Sequence, residues 1–284
     1  MRVKAYAKLN LALDILGVRQ DGMHELDMLM QSISLADVLS IKCSDRVAIR
    51  CDSMTVDANN TVRRAAKLFF QTLGIRDGAE IVIEKYIPAQ AGLGGGSSDA
   101  AATLFALNHL YEAGLDVGQL RELGVQIGAD VPFFIGGGSM RARGIGEELQ
   151  KISNQCKFRY LLVKPQKGVS TATAYGKFDA GEKQELIDVD AAVQALGQGD
   201  RHAYFKAAGN GLQRASAAIC PAVGTILTKC KDRGADFAMM TGSGSCVFAV
   251  FEEESIREYA YQKFVKEYPF CKRAENVDVG IEIL

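Results

Sequence analysis

The run Gly92-Leu93-Gly94-Gly95-Gly96-Ser97-Ser98-Asp99 places four glycines in five positions and follows them with two hydroxyls and a carboxylate. Glycine lets a backbone turn its N–H groups inward and lets a ligand come close. Hydroxyls at a helix entry can cap it, and the exposed N–H groups there favour an anion. Upstream, Ala79–Lys85 alternates Ile81 and Ile83 against Glu80 and Glu84, the pattern of a strand. Downstream, Ala100, Leu104, Leu107 and Tyr111 recur at helical spacing, and Gly114 is placed to end the helix. A strand, a glycine loop and a helix start make a phosphate cradle, and an ordinary helix entry has no need of so many glycines. Other phosphate loops are excluded. No lysine lies between Gly92 and Thr103, as a Walker A loop would require, and Ser97 stands where a dinucleotide fingerprint wants glycine. The His-Arg-Asp and Asp-Phe-Gly signatures of protein kinases are missing from the sequence.

Four further stretches carry reactive or binding groups. Residues 2–16 alternate, with Val3, Ala5, Ala7, Leu9, Leu11, Leu13 and Ile15 on one side. Lys4, Tyr6, Lys8, Asn10 and Asp14 fall on the other, so Lys8 and Asn10 share a surface: a solvated strand face or a site. His24 follows an Asp21-Gly22 turn and reads as a surface residue or a ligand. Asp130 lies in Gly128-Ala-Asp-Val-Pro132, ahead of an apolar Phe-Phe-Ile run expected to be a strand. It could bond local backbone N–H groups or act as an acid or base. Thr241-Gly-Ser-Gly-Ser245 could be a flexible hairpin turn or a second set of N–H groups for an anion.

The elements that must position these groups are bounded by length and composition. A chain of 284 residues, 48% hydrophobic, supports two domains or one large one. A net charge of −1, with acids and bases interspersed, advertises no nucleic-acid surface. Seven scattered cysteines without a C-x-x-C pair fit a reducing compartment, and three histidines offer no zinc constellation. No signal peptide and no membrane-spanning run is evident, so a soluble cytoplasmic protein is expected. Strands are expected near 28–35, 38–43, 46–51, 158–163, 237–240, 246–251 and 277–284. Helices are expected at 61–73, 117–127, 203–217, 223–231 and 254–267, with Gly168-Val-Ser-Thr171 opening another that contains Tyr175. Polar residues 153–157 mark a boundary, and the acidic stretch 181–201 reads as surface helices and loops.

Taken together, these stretches resemble the GHMP kinases, in order and over nearly the whole chain. Gly92–Ala102 resembles the family's phosphate motif, and Gly128–Pro132 its catalytic aspartate segment. Thr241–Phe251 resembles its third motif, and Gly168–Tyr175 is also similar. Ala5-Tyr-Ala-Lys8-Leu-Asn10-Leu11 with Asp21-Gly-Met23-His24-Glu25 is closest to the member acting on a cytidylated methylerythritol. The resemblance implies an α+β, two-domain GHMP kinase fold. Residues 1–153 would form a domain like the second domain of ribosomal protein S5, and 154–284 a ferredoxin-like domain. It implies ATP with Mg2+ and transfer of a phosphoryl group to the 2-hydroxyl of that small-molecule substrate, with no nucleic acid and no membrane involved. Asp130 would be the base and Lys8 its cationic partner. Asn10 and His24 would hold substrate, His24 reading the cytosine edge, and Tyr175 would stack on the base. Pro88, Ala89, Gln90, Ala91, Gly92, Leu93, Gly94, Gly95, Gly96, Ser97 and Ser98 would bind ATP, with Asn60 and Lys85 near the nucleotide and Thr241–Ser245 steadying the phosphates. The chain departs from the family at Met23, where tyrosine is usual, and at Asn210-Gly-Leu-Gln213, where Asn-Asp-Leu-Glu is common. Another GHMP alcohol kinase and a non-catalytic sensor are the alternatives. Lys8 and Asp130 speak against the sensor, which needs no base.

Overall fold

Two long strands, β1 (Arg2–Val18) and β2 (His24–Ser44), pair antiparallel across the Asp21-Gly22 turn, where Gly22 takes a φ of 81°. The computed structural model describes residues 1–53, 56–181 and 186–284. β1 does not keep its alternating side chains on one face. Its register against β2 shifts between Tyr6 and Ala7 and again between Asn10 and Ala12. Val3, Ala5, Leu13 and Ile15 enter one hydrophobic cluster, and Ala7, Leu9, Leu11 and Ala12 enter a second. Bulges of this kind re-aim side chains locally, which alternation in the sequence does not reveal. Both faces of β1 are covered, and Lys8 and Asn10 are buried, so the solvated-face reading is overturned.

The two strands expected over 28–43 are one continuous β2. Asp37, in its middle, is fully buried and accepts backbone bonds from Tyr86 and Ile87 at 2.5 and 2.8 Å. β3 (Ala48–Cys51) runs parallel to β4 (Gly78–Glu84), and β5 (Ser139–Gly144) and β6 (Glu148–Lys151) extend the sheet from β2. β11 (Ile281–Ile283) returns from the chain's end to pair with β1, giving among the described residues a seven-stranded sheet of order β11-β1-β2-β4-β3 plus β5 and β6.

Against this sheet pack α1 (Thr61–Leu73), α2 (Gly95–Leu110), α3 (Val117–Val125) and α4 (Val131–Gly136). The apolar spacing of α1 is as expected, burying Val62, Ala65, Ala66, Phe69 and Phe70. The Phe-Phe-Ile run after Asp130 is helix α4 and not a strand: Pro132 in its first turn has the φ a helix start requires and lacks the N–H a sheet ladder would use. α2 ends at Leu110 with Tyr111 as its cap, before Gly114.

The second sheet contains β7 (Arg159–Lys164), β8 (Phe237–Met240), β9 (Val247–Val250) and β10 (Phe270–Glu275) in the order β10-β7-β9-β8. With α10 (Glu254–Glu267) between β9 and β10, this is the ferredoxin-like order. Around it lie α5 (Thr171–Asp179), α6 (Val189–Gln198), α7 (Arg201–Ala207), α8 (Gln213–Ile219) and α9 (Ala222–Asp232). The single helix expected over 203–217 is split into α7 and α8. Of the acidic stretch 181–201, residues 182–185 lie outside the described residues. Leu9, Leu11, Leu29 and Ile33 pack with Tyr160, Leu162, Phe248 and Tyr204 in the second cluster, which joins the two sheets. Each large apolar side chain so buried contributes about 1.5–3 kcal/mol.

Candidate active site

The glycine loop leaves β4 and enters α2 between the two sheets. The helix begins at Gly95. Gly94 is its N-cap, at a φ of 72° and with no side-chain cap bond. Ser97 and Ser98, expected as caps, are already inside the first turn, and the Ser98 hydroxyl donates to the Tyr6 carbonyl at 2.7 Å. Two glycines are required by close approach. A Cβ on Gly92 would stand 2.0 Å from the Thr241 carbonyl oxygen, and one on Gly94 would stand 2.5 Å from the Phe134 ring and 3.2 Å from Lys8 Cγ. The loop therefore rests on the Thr241–Ser245 segment on one side and on α4 and Lys8 on the other.

Thr241–Ser245 is consequently no free hairpin turn. Ser245 and Cys246 N–H groups donate to Gln90 and Ala91 carbonyls at 3.3 and 3.2 Å, and the Thr241 hydroxyl accepts the Asn10 N–H at 2.9 Å. From behind, Asn210 donates to the Met240 and Gly242 carbonyls at 2.7 and 2.9 Å, Gln213 accepts the Met240 N–H at 2.9 Å, and Ser216 donates to the Ser243 carbonyl at 2.9 Å. Asn210 lies in the break between α7 and α8 and Gln213 opens α8, where helical periodicity alone gives no hint of a role.

Lys8 and Asp130 meet beside this loop, Nζ to Oδ2 at 3.9 Å. The Lys8 ammonium also donates to Asn10 Oδ1, and the Lys8 N–H to the Leu93 carbonyl at 3.0 Å. Burial lowers the Lys8 pKa, and the Asp130 carboxylate opposes that in part. Asp130 precedes α4 as its N-cap yet makes no side-chain cap bond, so the local-capping alternative is not realised. An ammonium, a carboxylate and a glycine loop side by side can hold a phosphate donor, accept a proton and stabilise a developing alkoxide.

His24 begins β2, and its Nε2 lies 2.8 Å from Asp179 Oδ1. Its ring stacks on Tyr175 of α5, with centroids 4.3 Å apart and planes at 24°. Burial, then the Asp130 and Asp179 carboxylates, push the Tyr175 hydroxyl pKa well up, which places α5 within electrostatic reach of Asp130. His24 and Tyr175 are thus together, but in mutual contact, with no gap for a base between them. Met23 is half exposed on the turn. Asp179 was not singled out in the sequence, where it is one acid among several near a helix end.

Of the two residues expected near the nucleotide, Asn60 caps α1 through bonds from the Val62 and Arg63 N–H groups at 3.0 and 3.4 Å. The neighbouring Thr61 hydroxyl donates to the Gly96 carbonyl at 2.7 Å, which brings this helix start against the glycine loop. The Lys85 ammonium lies under the loop, bound to Asp37 and, at 2.7 Å, to Asp99. No helix among the described residues is long and apolar enough to cross a membrane.

Residues 60–138 match the N-terminal domain family of the GHMP kinases, and residues 192–269 the C-terminal family. The 4-diphosphocytidyl-2-C-methyl-D-erythritol kinase of Bacillus cytotoxicus is 43% identical over 257 residues, which is 89% of each chain, and that of Bacillus cereus is 42% identical over the same share. A crystal structure of 4-(cytidine 5'-diphospho)-2C-methyl-D-erythritol kinase superimposes with a TM-score of 0.83 at 31% identity, covering 97% of this chain and 99% of the other. Homoserine kinase from Cytophaga hutchinsonii shares the fold at a TM-score of 0.80 and 20% identity, covering 100% of this chain and 97% of its own. Sequence, fold and the arrangement around the glycine loop agree: the chain belongs to the GHMP kinases, within the family of its 4-diphosphocytidyl-2-C-methyl-D-erythritol kinase relatives.

Proposed function

We propose that this kinase transfers the terminal phosphoryl group of ATP to the 2-hydroxyl of 4-diphosphocytidyl-2-C-methyl-D-erythritol, a step in non-mevalonate isoprenoid precursor synthesis. The observation that carries the catalytic assignment is the Lys8–Asp130 pair, 3.9 Å apart beside the glycine loop, with the Asp130 carboxylate uncommitted to capping. Phosphoryl transfer needs mainly positioning and charge stabilisation. Asp130 takes the hydroxyl proton, and the Lys8 ammonium favours the developing alkoxide. Asn10, bonded to Lys8 and anchored to Thr241, holds the acceptor side.

Pro88 to Ser98 cradle the ATP phosphates, Thr241–Ser245 steady them, Asn60 lies near the nucleotide, and Lys85, held by Asp37 and Asp99, supports the loop from beneath. Mg2+ would accompany ATP and supply neutralisation of the phosphate charge. His24 and Tyr175 receive the cytosine, which requires their stack to open. The cytoplasm is the compartment where these small-molecule substrates and reduced cysteines would coexist. The test is a coupled ADP-release assay across the cytidylated methylerythritol, homoserine, mevalonate and galactose. Turnover of the first alone is expected. Faster turnover of another alcohol would overturn the substrate, and no ADP release with any of them would favour a sensor.

A further inference from the structure

Beneath the glycine loop lies a buried cluster with more acid than base. Asp37 of β2 and Asp99 of α2 share one ammonium, that of Lys85, which follows β4. Asp37 spends its other oxygen on the Tyr86 and Ile87 N–H groups at 2.5 and 2.8 Å. Asp99 is 4% exposed, and its Oδ1 has no hydrogen-bond partner among the described residues. Among the described residues, Lys85 and Asp37 are the charged groups that act on Asp99. Tyr6 and Lys8 of β1 reach Glu282 and the Asn10–Asp130 side. Arg63 and Arg64 of α1 bond the Asp57 and Gln126 carbonyls at 3.2 and 3.0 Å. With every group ionised, the cluster therefore holds one negative charge in excess, and that charge falls on an oxygen without a donor. Such an oxygen is costly to leave buried unless a proton sits on the carboxyl.

The cluster touches the loop that would carry the nucleotide. A Cβ on Gly95 would stand 2.9 Å from Ile87 Cγ2 and 3.3 Å from Lys85 Nζ, so the first residue of α2 rests directly on it. Asp99 lies one turn further along the same helix. We propose that Asp99 positions the phosphate loop through Lys85 and takes up a proton when the nucleotide docks, so that ATP and the proton bind cooperatively. The inference rests on the reading that Pro88–Ser98 hold ATP.

The physical reason is linkage. Polyphosphate brings negative charge toward an uncompensated carboxylate, which raises that carboxylate's proton affinity, and reciprocity requires protonation to tighten nucleotide binding equally. In the empty protein, burial and the Asp37 charge, opposed by Lys85, push the Asp99 pKa up to about 7. The bound state raises it further. Nucleotide affinity is then greatest below the free-state value and declines as pH rises through the bound-state value.

The experiment is calorimetric titration of the protein with the non-hydrolysable β,γ-imido analogue of ATP plus Mg2+, in two buffers of different ionisation enthalpy, with wild type and Asp99→Asn. For a tenfold coupling, wild type is expected to take up about half a proton more than Asp99→Asn near pH 7.5, and its Kd to weaken toward tenfold between about pH 6.5 and about pH 9 while that of the variant stays flat. Equal proton counts in the two proteins overturn the proposal. So does a flat wild-type Kd over that range, a result that does not depend on the variant folding. Failure of the loop reading looks different. Gly92→Ala, which must push the loop off the Thr241 carbonyl, would then bind the analogue as tightly as wild type.

Discussion

The Lys8 ammonium stands 3.9 Å from an Asp130 carboxylate oxygen, one group buried in the middle of β1 and the other at the mouth of α4. Neither residue depends on the other for its backbone position. Lys8 is fixed by its N–H bond to the Leu93 carbonyl, and Asp130 by the turn that starts α4. The pair is thus assembled by the packing of the glycine loop between two elements, and its chemistry can be tested residue by residue.

Asp130→Asn keeps the shape and removes the proposed base. The expected outcome is a fall in kcat of roughly 10²-fold or more, with the Kd for ATP nearly unchanged. Single-turnover kinetics beside nucleotide titration makes the check. A kcat within a few-fold of wild type would reduce Asp130 to a structural role.

A second prediction concerns pH. Burial holds the Lys8 ammonium below the ordinary lysine value of 10.5. In the proposed mechanism the charged form stabilises the alkoxide, so activity is expected to fall as pH rises through the lowered Lys8 pKa. Lys8→Arg keeps a cation that does not titrate in this range, at some cost in geometry. Its kcat should be reduced, but its alkaline limb should move to higher pH. An alkaline limb that stays in place in Lys8→Arg would belong to another group.

Met23→Tyr restores an aromatic ring at an exposed turn, where the change meets little packing resistance. Methionine packs well against rings but gives a less defined platform than an aromatic face. Base stacking is worth about 1–3 kcal/mol per base in nucleic-acid sites. KM for the cytidylated substrate should therefore fall several-fold while KM for ATP stays put, as steady-state kinetics with each substrate varied in turn would show. Equal small changes in both would mean that residue 23 does not face the base.

The sequence by itself determined the parts whose information is local. The glycine density at Gly92–Gly96 marked the loop that enters α2. Apolar spacing marked α1 over Thr61–Leu73 and α10 over Glu254–Glu267 within their observed bounds. Motif order pointed to the family and, through it, to Lys8, His24, Asp130 and Tyr175. What the tertiary structure decided is everything that depends on which surfaces meet. Alternation along β1 could not show that two bulges divide its side chains between two cores, or that a strand covered on both sides would bury Lys8 and Asn10. Asp130 could be read as a cap until α4 formed without using it. β11 lies at the far end of the chain, yet it pairs with β1 at the other end, because hydrogen bonding between strands is blind to sequence separation. Nothing along the chain ties Asp37, Lys85 and Asp99 to one another. Only the closing of β2, β4 and α2 around one ammonium puts them out of water, and the loss of water is what gives Asp99 its unsatisfied oxygen.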